Sequence, residues 1–372
     1  MSNPQTYYTV GALDLSSIFQ PLSLGTKSNI TTYYNVSGYG DLNNIFAAYP
    51  GSGIKAATTG YNVTNYGDLS NIFAKYEPRT WTFTTSNVTG SWPEGGISMS
   101  NDGMIIGAVS IIFDTAIFTS TNYGSTFTNR GYNYLWESIA VSYNGINMAA
   151  VQRGDPSQIW ISINSGVTWA PVYGTNQFWL NISCNEYASI VLACEYEGYL
   201  YRGAIFNGIW YFTQLTSAGS RKWYYSCMSA SGSFAAAVEE DGYIYISSDN
   251  GSTWAQKTGT GYQNDWNCIS CSSNGTKIIA TTGSATFISS DSGTSWTNRT
   301  PINSSQGCAV SKDGNVFFVS SGGNGLYKSI DSGSSWENIL PNSRGQICTC
   351  NVDGSYVSTA EGGGYIVTGH YS

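Results

Sequence analysis

The 372-residue chain has a single histidine, His370, and few charges: Asp, Glu, Lys and Arg make up 10% of it, against about a quarter in an ordinary globular protein. One histidine near the end of the sequence excludes Ser-His-Asp, Cys-His and multi-histidine metal chemistry in their usual forms. Only 15 Lys and Arg stand against 23 Asp and Glu, for a net charge of −8. That balance argues against a nucleic-acid or anionic-membrane surface, which needs clustered cations. No apolar run approaches the ~20 residues of a membrane-spanning helix, and the polar stretch Met1–Val10 lacks the apolar core of a signal peptide. Helix formers are scarce. What the chain does have is 43 Gly, 28 Tyr, 12 Trp and abundant Ser, Thr and Asn, the composition of short strands joined by tight turns.

Two repeats organise this material. In the first, Asp14-Leu15-Ser16-Ser17-Ile18-Phe19 recurs as Asp41-Leu42-Asn43-Asn44-Ile45-Phe46 and as Asp68-Leu69-Ser70-Asn71-Ile72-Phe73, each 27 residues after the last. Tyr7, Tyr34 and Tyr61 each precede the Asp by seven residues. Leu, Ile and Phe at i, i+3 and i+4 share one face of a helical turn, with the Asp placed to cap it. Each unit reads as an extended piece, a Gly-rich turn and a short helix. Such a unit cannot bury its own apolar face, so residues 1–78 are expected to form a small docking arm.

The second repeat fills residues 79–372. Ser247-Ser248-Asp249-Asn250-Gly251-Ser252-Thr253-Trp254 is matched by Ser289-Ser290-Asp291-Ser292-Gly293-Thr294-Ser295-Trp296 and by Ser329-Ile330-Asp331-Ser332-Gly333-Ser334-Ser335-Trp336. Weaker copies surround Gly124 and Gly166, and Gly208 marks a decayed one. These S-x-D-x-G-x-[ST]-W elements resemble the Asp-box, or BNR, repeat of sialidase-like β-propellers. The resemblance implies a hairpin turn on the outer part of a blade, remote from any ligand, with Asp249, Asp291 and Asp331 as turn residues and not calcium ligands. A second mark, typified by Asn101-Asp102-Gly103 and Ser273-Asn274-Gly275, sits between two apolar runs and reads as a tight hairpin. Counting both marks gives six complete blades and a remainder, 344–372, that lacks its outer strand. Trp81-Thr82-Phe83 supplies it. The expected fold is all-β: a seven-bladed propeller with Asp-box turns, closed by an N-terminal strand and preceded by the three-repeat arm.

Five of the eight Cys fall in inner-strand slots that other blades fill with Ile, Val or Met, so they read as buried free thiols. Cys268 and Cys271 point to opposite faces of one strand, poor geometry for zinc or a redox pair. No metal or cofactor is expected. Trp136, Trp179, Trp223 and Trp266 each lie nine residues before the turn position of their blade, where Glu94, Ser305 and Gly345 stand in the other three. Two readings compete. Either the indoles pack between blades, or they form an aromatic arc at the ring's mouth, with Glu195 and Glu239 nearby, that stacks on glycans or holds a cationic segment.

Against catalysis, the Arg-Ile-Pro motif of sialidases is absent and no arginine triad can be assigned. The Asp-Leu-x-x-Ile-Phe repeats resemble short repeats of structural proteins from large DNA viruses and phages. That resemblance implies a non-enzymatic virion protein assembled in the host cytoplasm, with residues 1–78 bound to capsid or other virion proteins. The propeller would be a surface-binding or decoration head, with neither nucleic acid nor membrane insertion involved. A glycoside hydrolase and a cellular seven-bladed assembly factor are the alternatives.

Overall fold

In the computed structural model the described residues are the strand backbone of 7–10, 33–36 and 61–63, and 80–371 apart from 112–115, 155–156, 173, 261–263, 301–304 and 362. The chain divides into two compact units, Met1–Arg79 and Thr80–Ser372. In the first, the extended piece of each repeat is a strand: Tyr7–Val10, Tyr33–Val36 and Tyr61–Val63. The three pair side by side as a parallel sheet. Tyr34 faces Tyr61, in step with the 27-residue period, but Tyr8 rather than Tyr7 faces Tyr34, a slip of one residue. The Asp-Leu-x-x-Ile-Phe segments lie outside the described residues.

The second unit is an all-β, seven-bladed propeller. Seven four-stranded antiparallel sheets follow one another, six of them built from consecutive strands. We number the blades 1 to 7 and letter their strands A to D from the axis outward; the strands of blades 1 to 6 run within 97–129, 135–172, 179–214, 223–257, 266–298 and 305–340. The seventh blade takes strands A to C from Gly345–Cys350, Tyr356–Glu361 and Tyr365–Tyr371, and its outer strand from Trp81–Thr89. Tyr371 faces Trp81 and Tyr365 faces Thr89, so the two ends of the unit are hydrogen-bonded into one sheet as the sequence implied. No helix among the described residues is long and apolar enough to cross a membrane.

The A–B turns and C–D turns share one face of the ring, called lower here; the B–C turns and the blade-to-blade connections share the upper face. On the lower face the first residue of each A–B turn joins a closed circle of backbone hydrogen bonds. The N–H of Asn101 donates to Tyr143, Tyr143 to Glu186, Glu186 to Ala230, Ala230 to Ser273 and Ser273 to Lys312, at 2.8–3.0 Å. Asp313 then donates to Val352 and Val352 back to Asn101, both at 3.0 Å. Buried turn amides thus find partners in the next blade instead of in water.

The S-x-D-x-G-x-[ST]-W turns are self-contained. In blade 4, Asp249 accepts from the Thr253 N–H at 2.9 Å and its hydroxyl at 2.6 Å, and from the Ser247 hydroxyl at 2.8 Å. The Gly251 N–H donates to Ser247 Oγ at 2.9 Å, with Gly251 at φ +82°. These bonds hold the Asp249 and Asp291 carboxyls down at about 2. Asn122 and Asn164 make the same backbone bond in blades 1 and 2, so the turn needs an acceptor and not a charge. The glycine has a second duty. A Cβ on Gly293 would collide with Ile246 of the preceding blade, and one on Gly333 with Ile288. Each such turn therefore seats its blade on the one before.

Candidate functional site

The four recurring tryptophans are not at the surface. Trp136, Trp179, Trp223 and Trp266 are 0% exposed and are the largest fully buried side chains of the propeller. Each indole N–H donates to a backbone carbonyl of Tyr132, Thr175, Gly219 or Gly242, at 2.7–3.3 Å. Each ring meets an aromatic from strand C of its own blade edge-on: Trp160, Tyr201, Tyr245 or Phe287, with centroids 5.1–5.9 Å apart. An indole closed on both faces cannot stack on a sugar. The expectation of an aromatic arc is corrected accordingly: this quartet is inter-blade core, and its recurrence reflects packing.

Glu195 and Glu239 close two matching B–C turns, Glu195-Tyr196-Glu197-Gly198-Tyr199 and Glu239-Glu240-Asp241-Gly242-Tyr243. Glu195 Oε2 accepts from the Tyr199 N–H at 2.9 Å. Glu239 lies 3.5 Å from the Arg221 guanidinium, which is itself 4.5 Å from the centre of the Tyr245 ring. Glu195 braces its own loop, Glu239 ties its loop to the segment ahead of strand A, and both are only partly exposed. The groups they carry forward are their neighbours. Glu240 accepts from the Tyr196 hydroxyl of the adjacent blade at 2.8 Å and lies 3.6 Å from Lys222.

A more unusual carboxylate is Glu94. Blade 1 places it in the slot that blades 2 to 5 fill with tryptophan; Trp92, two residues earlier, takes over the packing and bonds Gly364 at 3.0 Å. The Glu94 carboxyl is left near the axis on the upper face. Its Oε2 is buried without a hydrogen-bond partner. Burial pushes its pKa up to about 7, Asp265 and Glu137 push the same way, and only a hydrogen bond from Tyr224 opposes them. Glu137 is also raised to about 7 by burial, against the Arg153 guanidinium 2.8 Å away. Asp265 is raised by burial and by Asp241 and Glu240. The upper face therefore gathers Glu94, Glu137 and Asp265, and Glu94 is in no ion pair among the described residues. Among the described residues the three ion pairs of the propeller all lie on this face.

Two tyrosines cross the axis. Tyr225 of blade 4 donates to the Glu94 carbonyl at 3.2 Å, on the far side of the ring. Tyr143 of blade 2 meets Ser273 of blade 5 at 3.0 Å between hydroxyls, and the Lys312 ammonium lies 5.3 Å from the Tyr143 ring centre. The inner strands line a half-open cavity of about 120 Å³, with Tyr143, Tyr225, Cys184, Cys227, Cys308 and Cys350 among its walls. All eight cysteines are free. Burial lifts the Cys184 and Cys350 thiols to about 12, so those two stay protonated and weakly reactive. No group of three or more side chains suited to a metal occurs among the described residues.

Sequence reasoning named the Glu94 slot but not its meaning. The signal was present: one carboxylate at a position where four sister blades have a tryptophan. Tyr143 and Tyr225 carried no such signal, because contacts across a ring join residues about 130 apart with no local pattern.

No protein-family model matches the chain, and no curated protein matches it by sequence. Solved structures match the fold. The Cps50 (Swd1) β-propeller domain of Myceliophteria thermophila is similar over 78% of this chain and 99% of its own, at 12% identity and a TM-score of 0.60. The GH74 xyloglucanase of Xanthomonas campestris is similar over 77% of this chain but 53% of its own, at 14% identity and 0.62. YCF48 bound to D1 peptide is similar over 80% of this chain and 96% of its own, at 15% identity and 0.58. At such identities the likeness shows a seven-bladed propeller and nothing about ligand or activity.

Proposed function

We propose that the protein is a non-enzymatic binding head whose upper mouth takes a cationic polypeptide segment. The observation that carries this reading is the Glu94 carboxyl, set in a tryptophan slot beside Glu137 and Asp265 with one oxygen unpartnered. A lysine or arginine side chain entering beside Glu94, Glu137 and Asp265 would supply the charge these groups lack. YCF48, a propeller of similar extent, binds a peptide, an example of this fold holding such a ligand. The burial of the four indoles that a glycan would have needed favours a peptide over a glycan here. The turn geometry around Asp249, Asp291 and Asp331 supports the Asp-box reading of the blades.

The arm reading completes the proposal. Residues 1–78 attach the head to a virion or comparable particle assembled in the host cytoplasm. The viral resemblance of the Asp-Leu-x-x-Ile-Phe repeats and the pairing of all three repeats into one sheet support this.

The test is binding of an Arg/Lys-rich peptide followed by calorimetry at low salt. Affinity should rise between pH 6 and pH 8 as Glu94 and Glu137 ionise, and Glu94→Gln should reduce that rise, leaving the part that Glu137 contributes. No binding at pH 8, or binding indifferent to Glu94→Gln and Asp265→Asn together, would sink the peptide reading. Turnover of xyloglucan or aryl glycosides that vanishes in Glu137→Gln would favour the hydrolase alternative.

A further inference from the structure

The outer edge of blade 3 differs from every other outer edge in the described ring. Outer strands are open edges, and proteins protect them by shortness, charge or proline. Blades 1 and 5 have two-residue outer strands, Thr128–Asn129 and Thr297–Asn298, each followed by an arginine. Blade 2 has Pro171 within Ala170–Val172, blade 4 ends on Lys257, and blade 6 opens on Glu337. Blade 7 has the long but Thr- and Ser-rich Trp81–Thr89. Blade 3 has Ile209–Gln214, six residues reading Ile-Trp-Tyr-Phe-Thr-Gln. Its decayed turn is a tight Asn207-Gly208 hairpin, with both residues at positive φ. Nothing about this edge discourages pairing.

Its backbone and side chains are suited to it. Leu215 N–H donates inward to Leu200, so in the antiparallel alternation the odd-numbered residues bond strand C. Trp210, Phe212 and Gln214 therefore turn their N–H and C=O groups outward. Beside them Phe206, Ile209, Tyr211 and Ile205 are 67%, 57%, 54% and 41% exposed. At roughly 200 Å² per large side chain, that is about 400 Å² of apolar surface. Two such surfaces together reach about 800 Å² before backbone is counted, against the ~1,200 Å² at which specific interfaces begin.

We propose that blade 3 pairs with blade 3 of a second copy of this chain, strand D to strand D, antiparallel and centred on Phe212. Phe212 then faces Phe212 of the copy and Trp210 faces Gln214, each opposed pair exchanging both backbone bonds. Charge selects the occupant. A two-fold contact sets a surface against itself, so any net charge on it repels its own copy. Residues 203–220 contain no Asp, Glu, Lys or Arg in a chain of net charge −8. The edge strand therefore adds no charge of its own to such a contact, and Arg202, paired with Thr213, is the one charge beside it on strand C. The inference is independent of the upper-mouth reading, because the edge and the mouth share no residue.

The experiment is sedimentation velocity on the full chain over a range of concentrations, with Ile209→Lys and Tyr211→Lys beside the wild type. Both positions are exposed, so the variants should melt as the wild type does. The wild type should dimerise, and each lysine should weaken the dimer by about 30-fold or more. A double variant, Tyr211→Cys with Thr213→Cys, places thiols opposite one another at a close pair of the expected register and should give a disulfide-linked dimer on mild oxidation. A wild type that stays monomeric overturns the proposal. So does a dimer untouched by both lysines, or one that fails to cross-link.

Discussion

The two faces of the ring treat their carboxylates in opposite ways. On the lower face Asp249 and Asp291 are held at about 2 by hydrogen bonds from their own turns. On the upper face Glu94 and Glu137 are pushed up to about 7 by burial. The lower carboxylates are fully employed, each oxygen serving a turn that repeats from blade to blade. The upper ones break the repeat, and Glu94 occupies a site that four sister blades fill with a buried tryptophan. Repetition on one face and exception on the other separate what builds the ring from what the ring presents.

The largest expected effect tests the foundation of both faces. Deleting residues 1–90 removes the strand Trp81–Thr89 that closes blade 7. It should lower stability by on the order of 5 kcal/mol or abolish folding, whereas deleting 1–78 should leave the ring's melting temperature near the wild type. Equal melting of the two truncations would show that closure does not depend on this strand. Next comes Trp223→Ala, which should cost about 3–5 kcal/mol as a cavity in the inter-blade core, read as a fall in denaturation midpoint. A stable Trp223→Ala protein with impaired ligand binding would return the indoles to the surface role.

The pH dependence of the two faces should differ in sign. Glu94 has its pKa raised on folding, so the native state is favoured while the carboxyl is protonated. Stability from this group is present below about pH 4.5 and declines as pH rises towards 7. Glu94→Gln should remove that decline and make the protein more stable at pH 8, by on the order of 1–3 kcal/mol. Asp291 has its pKa lowered, so its contribution is present above about pH 4 and is lost as pH falls towards 2. The smallest change is expected for Asp291→Asn, since Asn122 and Asn164 already make this turn. Its melting temperature at pH 7 should stay close to the wild type while its acid sensitivity shrinks; Asp291→Ala should melt lower at every pH.

The ring was legible because its instructions are local and repeated. The Asn101-Asp102-Gly103 and Asp249-Asn250-Gly251 classes of turn, counted along the chain, give seven blades and reveal that Trp81 must complete the last. The site was less legible, because the same spacing that locates Trp136 or Trp179 serves a core position and a binding position equally well. Only burial decides between them. The informative residue was the exception, Glu94, and its significance depends on neighbours such as Tyr224 and Asp265 that approach from other blades. The unpaired edge at Ile209–Gln214 was likewise hidden, since a decayed repeat is silent about what replaced it.

Tyr143 and Tyr225 change the kind of object the propeller is. A circle of units that touch only their neighbours behaves as a closed solenoid, able to fray one unit at a time. Here one hydroxyl ties blade 2 to blade 5 and the other ties blade 4 to the start of blade 1. These are chords across the circle, and they couple segments with no shared boundary. Loosening blade 4 slackens blade 1, and loosening blade 5 slackens blade 2, so partial opening gains little entropy for the contacts it breaks. Such a frame is expected to unfold in one cooperative step despite its seven-part construction.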